Sequence, residues 1–322
     1  MDKSIQRSFD PSVAAPAVAA ARTATPHRRA VDLARFVAAC GIVWDHAHAP
    51  FAAIGYTALA LFLMLTAFLA MGSFERSNGK AFWFSRAKRI FLPWVFWSLV
   101  YRIVYIRISD DPGPLQLFTD PFTLLIGSSI HLWFLPFVML ALALIPVVSR
   151  TVTTPLALWV ACAALLVISL PLAWIAIPIA WIVPSANLPE PFPQWAFSLP
   201  LFLYGALIAA GHKMHMAWLP VATAAVISAL IYAFEPGFSS IQMILTALLF
   251  EAVWRSNLQG KWATTLAGYA FGIYVLHPFF VLVAYKLFGA EVNAMVAALF
   301  AIATAIAATA LLRQTPFLRQ FV

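Results

Sequence analysis

The chain has 322 residues, of which 63% are hydrophobic and 10% charged, with a mean hydropathy of +0.89 and a formal net charge of +8. Soluble domains carry roughly 25% charged residues, so an ordinary soluble fold is excluded. The composition is that of an all-α polytopic membrane protein.

Residues 1 to about 26 are rich in Ala, Pro, Ser and Thr, with no hydrophobic run long enough for a signal peptide. They read as a disordered cytoplasmic tail. The remainder, 27–322, reads as one transmembrane domain of ten apolar segments: roughly 31–49, 53–72, 90–108, 131–149, 155–175, 194–210, 216–234, 239–254, 265–287 and 291–312. Most approach the ~20 residues that cross the hydrocarbon. The stretch from Ala173 to Pro193 is proline-rich and suits a loop or re-entrant segment. With the N-terminus inside, all of the 20 Lys and Arg residues except Arg35, Arg102, Arg107 and Lys286 fall in inner loops and tails. The outer loops hold Asp110, Asp111, Asp120, Glu190, Glu235 and Glu291 instead. This alternation predicts ten transmembrane helices with both termini cytoplasmic. The positive charge then describes inner-leaflet anchoring, not nucleic-acid binding.

The first segment, from Arg28 to Pro50, carries Arg35 and His46 eleven residues apart. On a helix that spacing is within about 20° of three full turns, so both residues share a face, roughly 16 Å apart along the axis. Ionisable groups inside a bilayer are costly and point to function. The plainer alternatives are that Arg28, Arg29, Asp32 and Arg35 are headgroup anchors, with Asp32 paired to Arg35, and that His46 belongs to a wet helix end with Asp45 and His48. Asp45 is about 100° around the helix from His46, so it is a poor orienting partner. Cys40 and Cys162 lie inside predicted helices as small packing residues.

After an uncharged second segment comes the basic stretch ERSNGKAFWFSRAKR. Arg86 and Arg89 are three apart and can share a helix face, as two guanidinium groups gripping one phosphorylated ligand require; topology and lipid headgroups are the plainer explanation. The third segment is dense in aromatics, including Trp94, Trp97 and Tyr101, with Arg102 and Arg107 towards its outer end. This suits either a sugar or a lipid-facing aromatic belt. The outer connection from about Asp110 to Ile130 is long enough to cover an outward-facing cavity. His131 and Trp133 open the fourth segment just inside the outer surface. The middle segments, from Pro155 to about Phe234, read as scaffold. Glu251 pairs with Arg255 at the i, i+4 spacing. In the ninth segment His277 precedes Pro278, which frees a carbonyl four residues earlier; the histidine is a natural hydrogen-bond partner for it.

Taken in order, these pieces resemble the membrane-bound acyltransferase 3 family of bacterial surface-glycan O-acyltransferases. Arg35 and His46 match its Arg-x10-His motif, and Arg86 with Arg89 matches its Arg-x-x-Arg motif. LWFLP at Leu132 to Pro136 resembles its Trp-Phe-Leu segment, and GIYVLHP at Gly272 to Pro278 its late Tyr-x-x-His segment. Where the family usually has Ser-Gly near the end of the second span, this chain has Thr66 and Ala67. No extra esterase-like domain is attached, so relay of the acyl group to an acceptor would need a second partner.

The resemblance implies transfer of an acyl group, often acetyl, from cytoplasmic acyl-CoA to a sugar hydroxyl at a bacterial inner membrane. Arg35, Arg86 and Arg89 would bind acyl-CoA, and His46 would act as general base or, less favoured, as a transient acyl carrier. Asp45, Arg102, His131, Trp133, Tyr274 and His277 are candidates for an acceptor or supporting site. The co-substrate is acyl-CoA and no metal is expected. Expected partners are a glycan or lipid-linked saccharide, membrane lipids and a polysaccharide synthesis or export complex. The competing reading is a transporter or flippase with Arg35, His46 and His277 lining a path and Pro136 and Pro278 in corresponding spans of two halves.

Overall fold

The computed structural model describes residues 28–51, 53–108, 126–127, 129–176 and 188–322. The expected tail at 1–26 and nearly all of the expected covering connection at 110–130 lie outside the described residues, as does the centre of the proline-rich stretch. Among the described residues the chain is helical, without strands. It runs through α1 (Arg29–His46), α2 (Ala53–Arg76) and α3 (Gly79–Arg86), which continues through a π-helical turn (Ala87–Phe91) into α4 (Leu92–Ile108). A 3-10 turn (Ile130–Trp133) opens α5 (Phe134–Ala141) and α6 (Leu144–Thr151). Then follow α7 (Pro155–Ala176), α8 (Phe192–Lys213), α9 (Trp218–Phe234), α10 (Phe238–Arg255), α11 (Trp262–Phe288) and α12 (Ala294–Leu312).

Each apolar segment is thus a helix or a run of helices. Seven stretches are long and apolar enough to cross a membrane: Gly55–Arg76, Gly79–Ile108, His131–Thr151, Pro155–Ala173, Phe192–Lys213, Trp262–Phe288 and Ala294–Leu312. The other three helices fall short for visible reasons. α9 has 17 residues, α1 holds Arg29, Asp32, Arg35 and Asp45, and α10 holds Gln242, Glu251 and Arg255.

Two segments differ from the sequence-based expectation. The third begins at Gly79 instead of residue 90, because the Asn78 side-chain oxygen accepts a 2.7 Å hydrogen bond from the Ala81 N–H and caps the helix. Most of the predicted basic loop is therefore helical. The fourth is not one uniform helix: it starts as a 3-10 turn and breaks between Ala141 and Leu144. At the Thr66–Ala67 departure the backbone is regular helix, and the Thr66 hydroxyl donates to the Phe62 carbonyl at 2.7 Å.

The helices approach closely because small residues line their contacts, the way helices pack where lipid offers no hydrophobic driving force between them. α2 lies between α1, α8 and α10, and α1 also packs along α11. A Cβ at Gly205 on α8 would sit 2.3 Å from the Met64 carbonyl oxygen of α2. One at Gly55 on α2 would sit 2.1 Å from Asp45 Cβ, so this glycine lets the end of α1 settle on α2.

The basic ends of several helices gather at one end of the bundle. Glu251 joins His212 Nε2 at 2.7 Å and Arg255 Nε at 3.2 Å, so the expected i, i+4 pair exists within a larger network. Arg28 lies 3.8 Å above the Trp254 ring and donates to its carbonyl. Lys213 pairs with Glu75 at 3.0 Å, and the Arg150 guanidinium is 5.7 Å over Phe74. Asp32 accepts a 2.8 Å hydrogen bond from Thr264 on α11, which ties it to a second helix as well as to the field of Arg35.

Candidate active site

The site builds from the C-terminal end of α1. His46 is the last residue of that helix and is exposed. Its Nδ1 lies 2.9 Å from the Ile42 carbonyl, one turn back. A carbonyl only accepts, so Nδ1 carries a proton, and in the neutral ring Nε2 holds the lone pair. The ring is therefore held in the tautomer a general base requires, with its basic nitrogen turned away from the helix hydrogen bond.

Two buried histidines stand against it. The His46 and His277 ring centroids are 4.8 Å apart at 70°, and His277 and His131 are 5.4 Å apart at 71°. His277 is fully buried, and His131 is 3% exposed. Pro278 has no N–H to give the Tyr274 carbonyl, and His277 Nδ1 supplies the missing bond at 2.7 Å. The expected partnership between histidine and freed carbonyl is thus present, and it too fixes the tautomer: His277 Nε2 is a lone-pair nitrogen. His131 is held from two sides. Its carbonyl accepts from the Tyr274 hydroxyl, and its Nδ1 lies 2.9 Å from Ser129 Oγ. Tyr101 stacks edge-on to His131 at 4.8 Å while its hydroxyl donates to the Val275 carbonyl at 2.7 Å. Four elements, α1, α4, the 3-10 turn and α11, converge here.

The cations lie elsewhere. Arg35 is half-buried on α1, within electrostatic range of both Asp32 and Arg89. Arg86 sits 5.1 Å over the Phe82 ring, and Arg89 is exposed on the π turn. A π turn is wider than an α turn. Arg86 and Arg89 are therefore spread farther around the axis than α-helical spacing predicts, although each still feels the other's charge. Arg35, Arg86 and Arg89 form one electropositive group, separated from His46 by most of the length of α1.

The remaining sequence-based candidates fall into two groups. Tyr274, His131 and His277 join His46. Asp45 is half-buried on α1 and within the field of His46 and His48, while Arg102 is buried on α4 beside Tyr101. Trp133 is buried against Phe134 and Phe137, a packing position. Sequence reasoning passed over Ser129 and gave Tyr101 no role of its own. The signal for Tyr101 was its i, i+4 spacing from Trp97, which puts both on the buried face of α4.

The sequence profile of the Acyl_transf_3 family, described as an acyltransferase domain, matches residues 28–313. No curated protein and no solved structure matches the chain. The matched stretch takes in every helix described above, from the α1 histidine through the buried pair on the 3-10 turn and α11. A helical membrane bundle presenting an oriented histidine at one end of α1 and clustered arginines on α1, α3 and the π turn, matched almost end to end by this profile, belongs to the acyltransferase 3 family.

Proposed function

We propose that the chain is an inner-membrane O-acyltransferase with ten spans and both termini cytoplasmic. It moves an acyl group, acetyl by preference, from cytoplasmic acyl-CoA to a hydroxyl of a lipid-linked or extracytoplasmic glycan. The observation that carries the reading is the tautomer of His46 combined with its distance from the arginines. A thioester at the end of a long phosphorylated carrier needs cations at one end and a base at the other. The separation of Arg35 and His46 along α1, roughly 16 Å at 1.5 Å per residue, supplies that arrangement.

In this mechanism Arg35, Arg86 and Arg89 hold the phosphates, for which planar guanidinium groups suit bidentate contacts. The acceptor oxygen attacks the thioester carbonyl carbon while His46 Nε2 takes the hydroxyl proton. The Nδ1–H bond to the Ile42 carbonyl stabilises the imidazolium that forms. The tetrahedral adduct collapses with cleavage of the C–S bond, and the thiolate recovers the proton from His46. Ester, free thiol and neutral histidine remain. Direct transfer is favoured over an acyl-histidine because one base suffices for both proton movements.

Donor binding tests the reading. In calorimetry with acetyl-CoA, Arg86→Ala/Arg89→Ala is expected to weaken binding by about 10- to 100-fold, because two charge-assisted contacts are lost. The loss should shrink as salt rises. Unchanged affinity in the double variant would remove the arginines from the donor site.

A further inference from the structure

The mechanism uses His46 but leaves two buried nitrogens unexplained. His131 Nε2 and His277 Nε2 have no hydrogen-bond partner among the described residues. Buried polar atoms are rarely left unsatisfied, and two on adjacent rings beside the catalytic base point to a ligand group that satisfies both. Their characters are complementary. His277 Nε2 is an acceptor, since its Nδ1–H is committed to the Tyr274 carbonyl. The Ser129 hydroxyl lies 2.9 Å from His131 Nδ1; where it donates to that nitrogen, His131 Nε2 carries the proton and is a donor. A hydroxyl is the group that accepts from one nitrogen and donates to the other.

We propose that His131 and His277 form a subsite for a second hydroxyl of the acceptor, next to the hydroxyl that His46 activates, so that the enzyme selects vicinal diols over isolated alcohols. This rests on the acyltransferase reading above. Neighbouring diol oxygens lie one hydrogen-bond length apart, and the 4.8 Å spacing of the His46 and His277 rings lets each ring address one of them. Rejection of an acceptor that lacks the second hydroxyl follows because its binding would leave both buried nitrogens unpaired. His277 is then a binding residue for the acceptor, and Ser129 a positioning residue that acts through His131.

The test measures acyl transfer from acetyl-CoA to 1,2-cyclohexanediol (cis and trans) and to cyclohexanol, in the parent protein and in two variants. His277→Asn keeps a donor near the Nδ1 position for the Tyr274 carbonyl but removes Nε2. His277→Gln places a polar group near the Nε2 position. The parent should prefer one diol over cyclohexanol by on the order of 10- to 100-fold in kcat/KM. That preference should fall to about 2-fold or less in His277→Asn and be largely kept in His277→Gln. Equal use of diol and mono-alcohol by the parent overturns the inference, and so does an undiminished preference in a folded His277→Asn protein. If neither alcohol accepts the acyl group or slows acetyl-CoA hydrolysis, the subsite is wrong while the donor reading stands on its own binding test. Absence of both acetyl-CoA binding and hydrolysis overturns the acyltransferase reading and this inference with it.

Discussion

Replacing His46 with alanine is expected to reduce acyl transfer by about 10²- to 10⁴-fold, the usual contribution of a positioned general base. The ring is exposed at the end of α1, so its removal leaves no buried cavity, and the fold and donor affinity should be retained. The effect therefore belongs in kcat, with the KM for acetyl-CoA nearly unchanged. The bond to His46 comes from the Ile42 backbone carbonyl, so a conservative Ile42→Val substitution should keep it and should not mimic the loss. The same experiment separates the two chemical routes. Parent incubated with radiolabelled acetyl-CoA and no acceptor, then denatured rapidly in neutral detergent, should carry no label under direct transfer, whereas an acyl-histidine would leave label that His46→Ala lacks.

Gly205→Leu is expected to abolish folding into a monodisperse detergent-solubilised protein, and Gly205→Ala to be strongly destabilising. The added Cβ would meet the Met64 carbonyl oxygen at 2.3 Å, its Cα at 2.8 Å and its carbonyl carbon at 2.9 Å. All three are backbone atoms in the middle of α2, so no side-chain rotation relieves the contact and the helices must separate. Overpacking of this kind costs about 1–3 kcal/mol where side chains can yield, and more here. Gly79→Ala is the control. A Cβ there meets nothing within 4 Å, and alanine is the better helix former. A thermal scan of the purified proteins should show a loss of midpoint or of the folded peak for the Gly205 variants and none for Gly79→Ala.

How much of this was legible from sequence depends on the range of each interaction. The apolar runs located the helices because length and hydropathy are local properties. The His277 contact was readable because Pro278 is its neighbour and the missing N–H falls one turn back. The Glu251–Arg255 pair was readable for the same reason, but His212, 39 residues away, was not. The early start of the third segment was hidden because basic residues lower hydropathy without breaking a helix, and only the Asn78 cap marks its beginning. The site itself combines both cases. Arg35 and His46 share a helix and were placed by spacing. The convergence of His46, His131 and His277 joins residues more than 80 positions apart, and no local pattern encodes which helix faces which. The tautomers came from contacts alone, and they decide which nitrogen of each neutral ring holds the lone pair.

The most direct test of the central claim is release of CoA thiol by the purified protein in lipid nanodiscs, followed together with formation of an alkali-labile acyl ester on an added saccharide. The account predicts one ester formed per thiol released, with both signals lost in His46→Ala and restored by adding back parent protein. Ester formation that persists in folded His46→Ala, or saccharide movement across the bilayer without thiol release, would contradict it.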